Sequence, residues 1–312
     1  MRRKITDYML LTLKGMGMGA ADVVPGVSGG TIAFITEIYE ELVNSIKSID
    51  SRALRKLFKE GVPAFWRAIN GNFLIAVFAG ILISVFSLAR LLEHLLHQHP
   101  ILIWSFFFGL IIASALYIAG KIKHWNIGKV LALLSGVGIA YVITILTPAQ
   151  TPEAWWFIFL SGALAICAMI LPGISGAFIL LLLGKYQFVI GAVGNLNFTV
   201  LLVLAAGALI GIISFSNLLS WFLRKYHDLT IAVLSGFMIG SLNKVWPWKI
   251  TTETFTDRHG EVQPLVQENV LPGEFATQSG NDPVLLKALL LAIIGFVLIF
   301  LVEDLTRTRK RI

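Results

Sequence analysis

Apolar residues in this chain run in long blocks rather than in stripes. Ten segments, roughly 5–24, 27–46, 72–96, 100–120, 127–147, 154–171, 174–194, 198–223, 229–246 and 284–304, are apolar nearly all round. A helix with no polar face must be buried in protein or in lipid. About 20 such residues cross the ~30 Å hydrocarbon core of a bilayer. The pattern therefore predicts an all-α polytopic membrane protein. Two stretches break it. Residues 47–70 interleave Arg52, Arg55, Lys56, Lys59 and Arg67 with Leu54, Leu57, Phe58, Phe65 and Trp66. That mixture fits an amphipathic segment on an anionic membrane surface. Residues 247–283 read as a long acidic loop with Glu253, Asp257, Glu261, Glu268, Glu274 and Asp282.

The blocks repeat. Val24-Pro-Gly-Val-Ser-Gly29 returns as Leu171-Pro-Gly-Ile-Ser-Gly176, and the offset from Pro25 to Pro172 also carries Tyr39 onto Tyr186. A second set matches in the same order: Ala79-Gly80 with Ala206-Gly207, Ser87 with Ser214, Gly109 with Gly236 and Ser114 with Ser241. The offset is shorter there, and the 47–70 insertion in the first half accounts for the difference. We therefore divide the chain into repeat 1 (1–148) and repeat 2 (149–312). Each holds five apolar segments, an odd number, so the second must enter the membrane from the opposite side. That is an inverted-topology repeat, a common transporter plan.

Charge agrees with this topology. Lys121, Lys123, Arg224, Lys225 and the tail Arg307 to Arg311 fall on one expected face together with the 47–70 connector. The loops 147–153 and 247–283 fall on the other. Basic loops mark the cytoplasmic side, which places both termini there. The formal charge of +7 is accordingly no sign of nucleic-acid binding. Met1 to Lys4 are basic but lead straight into the body, so no cleaved leader is expected. Cys167 is the only cysteine, which rules out an internal disulfide. His94, His97 and His99 read as a wet loop, and no metal site or cofactor is expected.

The candidate chemistry lies at the two Pro-Gly-x-Ser-Gly breaks. Proline and glycine interrupt a helix, and bare backbone at membrane depth must be buried in protein or line a wet cavity. Ten residues separate Lys14 from the first break, about 15 Å at ~1.5 Å per residue. That favours re-entrant hairpins, 5–46 and 154–194, over pairs of full spans, leaving spans 72–96, 100–120, 127–147, 198–223, 229–246 and 284–304. A new helix starts after each break with unpaired N–H groups and a positive dipole end. Two such ends meeting near the midplane suit a phosphate or carboxylate. The residues singled out for anion binding are Pro25, Gly26, Ser28, Gly29, Gly30, Thr31, Pro172, Gly173, Ser175 and Gly176, with Arg90 as a further guanidinium that either joins the site or snorkels to the surface. Asp22 and Glu37, aligned with Met169 and Gly184, are candidates for coupling to protons or Na+, or for gating, because acids inside a membrane are costly. The alternatives are helix capping for Asp22 and an interfacial position for Glu37. Lys14 fits a cytoplasmic mouth or an interfacial anchor.

Gly19-Ala-Ala-Asp-Val-Val-Pro-Gly-Val-Ser-Gly-Gly-Thr31, Leu171-Pro-Gly-Ile-Ser-Gly176 with Gly184-Lys-Tyr186, and Gly240-Ser-Leu-Asn-Lys-Val-Trp-Pro-Trp-Lys249 together resemble the DUF368 family, which is associated with polyprenyl-phosphate transport. The resemblance covers essentially the whole chain. It implies a transporter rather than an enzyme, recycling undecaprenyl phosphate from the outer to the inner leaflet of the bacterial cytoplasmic membrane. Its partners would be that lipid and the bilayer, and its headgroup site the two breaks. Two other classes stay open. Undecaprenyl-diphosphate phosphatases also use inverted repeats and a Pro-Gly-x-Ser segment, but carry an arginine where Gly29 and Gly176 stand here. A carrier for a small soluble anion would keep the same site and need a sealed aqueous path.

Overall fold

The computed structural model describes residues 3–24, 27–256 and 262–311, and within them all side chains but those of 89, 90, 93, 255, 256, 263, 265 and 302–311. The first half of the chain holds α1 (Ile5–Val23), α2 (Gly29–Ile35), α3 (Tyr39–Lys47), α4 (Ser51–Glu60), α5 (Val62–Ala68), α6 (Gly71–Gln98), α7 (Pro100–Ala119) and α8 (Ile127–Ile145). The second half holds α9 (Trp155–Ile170), α10 (Gly176–Leu182), α11 (Tyr186–Gly194), α12 (Phe198–Lys225) and α13 (His227–Ser241), then strands β1 (Lys249–Thr256) and β2 (Val262–Asn269), α14 (Pro272–Ser279) and α15 (Leu285–Arg311). The molecule is predominantly helical. Among the described residues four helices, α6, α7, α8 and α12, are long and apolar enough to cross a membrane alone, or five spans if the bent pair α10–α11 counts as one. The apolar parts of α9 and α15 are shorter, and α13 has only fifteen residues, ten of them buried.

Each apolar arm expected after a break is divided in two. In the first, Glu37 adopts a left-handed backbone with φ 59°. There the Ile38 N–H donates to the Ala33 carbonyl at 3.0 Å. In the second, Gly184 has φ 62° and the Lys185 N–H donates to the Leu180 carbonyl at 2.8 Å. A left-handed residue with this 6→1 bond ends an α-helix. So the arms 27–46 and 174–194 split into α2 with α3 and α10 with α11, the second pair bent by 109°. The connector 47–70 is likewise two helices. Asp50 caps α4, accepting from the Ala53 N–H at 2.8 Å, and Gly61 separates α4 from α5 with φ 82°. Phe58 on α4 is 86% exposed, while Trp66 on α5 packs against Gly71 and donates to Asn72 at 2.7 Å.

Glycines set the helix pairs. A methyl group on Gly15 would overlap the Val77 carbonyl oxygen, and one on Gly80 that of Thr12, so α1 and α6 touch backbone to backbone. The pair α9 and α12 does the same through Gly162 against Leu204 and Gly207 against Phe159. The remaining long helices pair across the two halves. Gly109 of α7 meets Ala292 and Gly295 of α15 meets Phe106, while Gly236 of α13 meets Leu133 and Gly136 of α8 meets Val233. Small residues permit such close approach where lipid offers no hydrophobic drive between helices.

The 247–283 stretch is not an irregular loop. β1 and β2 form an antiparallel hairpin with register shifts at Thr251, Glu253 and Thr254, and α14 follows. Trp248 ties this module down, donating from its indole nitrogen to the Pro283 carbonyl at 2.9 Å. His94 and His97 lie on α6 and His99 caps α7, so the expected wet loop is a tight helix-to-helix corner.

Candidate functional site

The two breaks meet. Ser28, wholly buried between α1 and α2, directs its hydroxyl at the carbonyls of Met169 and Leu171, 3.2 and 3.1 Å away at the end of α9. In the other direction the Gly173 N–H donates to Oγ1 of Thr31 at 3.1 Å. The backbones also touch directly. A Cβ on Gly30 would stand 2.6 Å from the Ile170 carbonyl oxygen. Gly173 has φ 89° and backs onto the end of α13, where an added Cβ would lie 3.0 Å from the Phe237 carbonyl oxygen. Only glycine meets both demands at that point.

The start of α2 is closed from within. The Gly29 N–H donates to Oδ1 of Asp22 at 2.7 Å, and the Gly30 N–H to Oγ of Ser28 at 3.1 Å. The Thr31 N–H donates to the Ser28 carbonyl at 2.9 Å. A carboxylate at a helix N-terminus is favoured by the dipole and by charge-assisted hydrogen bonding. Asp22 therefore stands where an external anion would stand. The start of α10 differs. Ser175 makes no hydrogen bond to its first turn. The slot that holds Asp22 in the first half holds Met169 in the second, since Cβ atoms on Gly29 and Gly176 would meet Asp22 Oδ2 at 2.5 Å and Met169 Cγ at 2.7 Å. The two ends are thus equivalent in backbone and unequal in chemistry.

Of the residues read from the sequence, the structure brings together Asp22, Ser28, Gly29, Gly30, Thr31 and Gly173, with Pro172, Ser175 and Gly176 buried beside them. Pro25 and Gly26 lie outside the described residues, as does the Arg90 side chain on α6. Glu37 stands apart, at the far end of α2. Its carboxylate accepts from Lys121 at 2.9 Å and from the Tyr117 hydroxyl at 3.2 Å, near the C-terminal end of α7. Lys14 donates to the Thr36 carbonyl at 2.6 Å, a cation at a helix C-terminus. Because Lys14 of α1 and Thr36 lie level, α2 returns only as far toward the N-terminal face as the middle of α1. Tyr117 and Lys121 did not emerge from the sequence, where they look like ordinary girdle and loop residues.

The family model for undecaprenyl phosphate translocase-like proteins (VCA0040-like) matches residues 18–263. A polyprenyl-phosphate transporter of Vibrio cholerae serotype O1 is 46% identical over 303 residues, 97% of this chain and 98% of that one. A polyprenyl-phosphate transporter of Staphylococcus aureus is 36% identical over 254 residues, 75% of this chain and 85% of that one. No solved structure matches the chain.

Proposed function

Because the chain belongs to the undecaprenyl phosphate translocase-like family, we propose that it carries undecaprenyl phosphate between the leaflets of the bacterial cytoplasmic membrane, returning the lipid carrier for envelope polymer synthesis. The observation that carries this reading is the tip-to-tip contact of the two breaks through Ser28, Thr31 and Gly173. It supports a headgroup site in the interior between the breaks, where a phosphate in place of Asp22 would meet the first N–H groups of α2 while its prenyl tail stayed in lipid.

The halves are inverted repeats in this reading. Gly15 and Gly80 correspond to Gly162 and Gly207, and each pair seals the same helix–helix contact. The pairs α7–α15 and α8–α13 exchange partners between halves through matching glycines, the expected result of a two-fold relation. Both termini then lie in the cytoplasm, the first hairpin opens inward and the second outward. In the arrangement seen here the breaks are locked together and Asp22 fills the first helix start. Headgroup binding displaces Asp22, and protonation or cation pairing of its carboxylate would couple the cycle to an ion. Glu37, paired with Lys121, gates the inner end of the same hairpin.

The phosphatase alternative finds little support. An arginine in place of Gly29 would put its Cβ 2.5 Å from Asp22, and without that cation the transferred phosphoryl charge lacks its usual stabilisation.

Native mass spectrometry of the purified protein tests the proposal. Undecaprenyl phosphate should bind in preference to undecaprenyl diphosphate, remain intact, and bind more weakly to Ser28→Ala. Absence of binding would move the assignment to a carrier for a small soluble anion, and conversion of the diphosphate would move it to an enzyme.

A further inference from the structure

The Asn243-Lys-Val-Trp-Pro-Trp-Lys249 run has no place in the hairpin site, yet it builds a cavity of its own. A space of about 530 Å³ lies between the end of α8, α10 and the β-hairpin, on the face opposite the N-terminus. Volumes of a few hundred Å³ are those of small-ligand sites. Two lysines, Lys244 and Lys249, are among the residues that line it.

These lysines are held without counter-ions. Lys249 Nζ donates to the Lys244 carbonyl at 2.5 Å and sits 4.0 Å from the ring centre of Trp104. Lys244 Nζ sits 4.3 Å over Phe178. Among the described residues neither makes an ion pair, although Glu268 lines the same space. Aromatic faces orient an ammonium but accept only weakly from it. Burial pushes Lys249 well below the usual lysine range, with the charge of Lys244 adding to the effect. Two like charges drawn together out of water are unfavourable until an anion joins them.

The neighbouring wall is fixed. Asn243 donates to Thr144 Oγ1 at 2.9 Å and Asn269 donates to the Asn243 carbonyl at 2.7 Å, so β2 is fastened to the ends of α8 and α13. An apolar part of the wall comes from Phe178, Leu181 and Leu182 of α10. The cavity therefore abuts the helix that follows the second break.

We propose that this cavity binds a phosphate monoester group through Lys244 and Lys249, as the first docking point for the substrate headgroup on the face opposite the N-terminus. For the lipid identity this rests on the transporter reading; the anion site does not. Two ammonium donors suit the three terminal oxygens of a phosphate. The apolar wall suits the first carbons of a prenyl chain. The same chemistry fits free phosphate, and the test separates the two.

Amine-reactive acylation of the full-length protein in detergent, read by peptide mass spectrometry, reports on each lysine separately. Farnesyl phosphate should slow acylation of Lys244 and Lys249 at least threefold and leave Lys129 unchanged. It should act at concentrations at least tenfold below inorganic phosphate if the site takes a lipid headgroup. Equal potency of the two would retain the phosphate site and overturn the lipid assignment. Farnesyl phosphate affinity should fall at least tenfold in Lys244→Gln and Lys249→Gln and recover in Lys244→Arg and Lys249→Arg. No protection by either phosphate, or equal protection by farnesol, would overturn the site. Acylation is read independently of the liposome transport assay, so protection without lipid movement in liposomes would leave the site standing and sink the transporter reading, and movement without protection would do the reverse.

Discussion

Ser28 and Ser175 occupy the same place in two copies of one motif, and they should respond differently to loss of the hydroxyl. The Ser28 hydroxyl has one proton, shared between the carbonyls of Met169 and Leu171, and its oxygen accepts the Gly30 N–H. Removing an N-cap side chain costs about 1 kcal/mol, and a hydrogen bond between membrane helices contributes about 0.6 kcal/mol on average. Ser28 is wholly buried, so the Gly30 N–H gains no water in exchange. Ser28→Ala should therefore lose about 2 kcal/mol. At roughly 2 °C per kcal/mol for a large domain, that is a drop of about 4 °C in Tm. Ser175 makes no capping bond, and Ser175→Ala should stay within about 0.5 kcal/mol. Thermal unfolding of both variants in one detergent, followed by size-exclusion chromatography, reads the difference. Equal losses, or a larger loss at Ser175, would refute the view that the first break is the bonded lock between the hairpins.

Gly80→Ala and Gly207→Ala should each destabilise by several degrees in the same assay, since their methyl groups would overlap the Thr12 and Phe159 carbonyls; a tolerated substitution at either would show that the helix pair has room. Glu37→Gly should leave stability within about 1 kcal/mol, because glycine relieves the left-handed backbone while the exposed pair with Lys121 is lost; a fall in transport with stability intact then assigns a role to the carboxylate. Burial raises the Glu41 carboxyl, but hydrogen bonds from Arg3 and Asn70 outweigh it and hold it below its ordinary 4.5. A lowered carboxyl stabilises the fold above that value and loses its contribution as pH falls through the folded-state value. The Tm gap between wild type and Glu41→Gln should thus be present at pH 7 and close as the pH falls below 4.5, and a gap that persists in acid would contradict the ion pair.

Much of this was legible because lipid imposes long, uniform apolar segments, and because Pro-Gly-x-Ser-Gly twice in one chain marks a backbone break that no side chain can disguise. The repeat offsets also located Gly80 with Gly207 and Gly109 with Gly236, which turned out to be helix contacts. What periodicity could not supply was the backbone sign at Glu37. An acidic residue in a left-handed turn gives no signal, although its alignment with Gly184 was the available clue. The β-hairpin was hidden by composition, since Lys249-Ile-Thr-Thr-Glu-Thr-Phe-Thr256 is polar enough to read as loop, while its β-branched threonines are the strand signal. Self-capping by Asp22 was among the readings of that acid, but the distance from Asp22 to Gly29 depends on how the break folds back, which spacing alone leaves open. Lys244 and Lys249 escaped notice because their shared cavity is made by a tertiary contact between α10 and the hairpin.

Reconstitution into unilamellar liposomes tests the central claim most directly. Undecaprenyl phosphate is placed in one leaflet, and its arrival in the other is followed with an impermeant reagent for the phosphate. Protein-dependent movement of the intact monophosphate, slowed in Ser28→Ala, is the predicted result. A lipid that stays in its leaflet in the presence of folded protein would contradict the account.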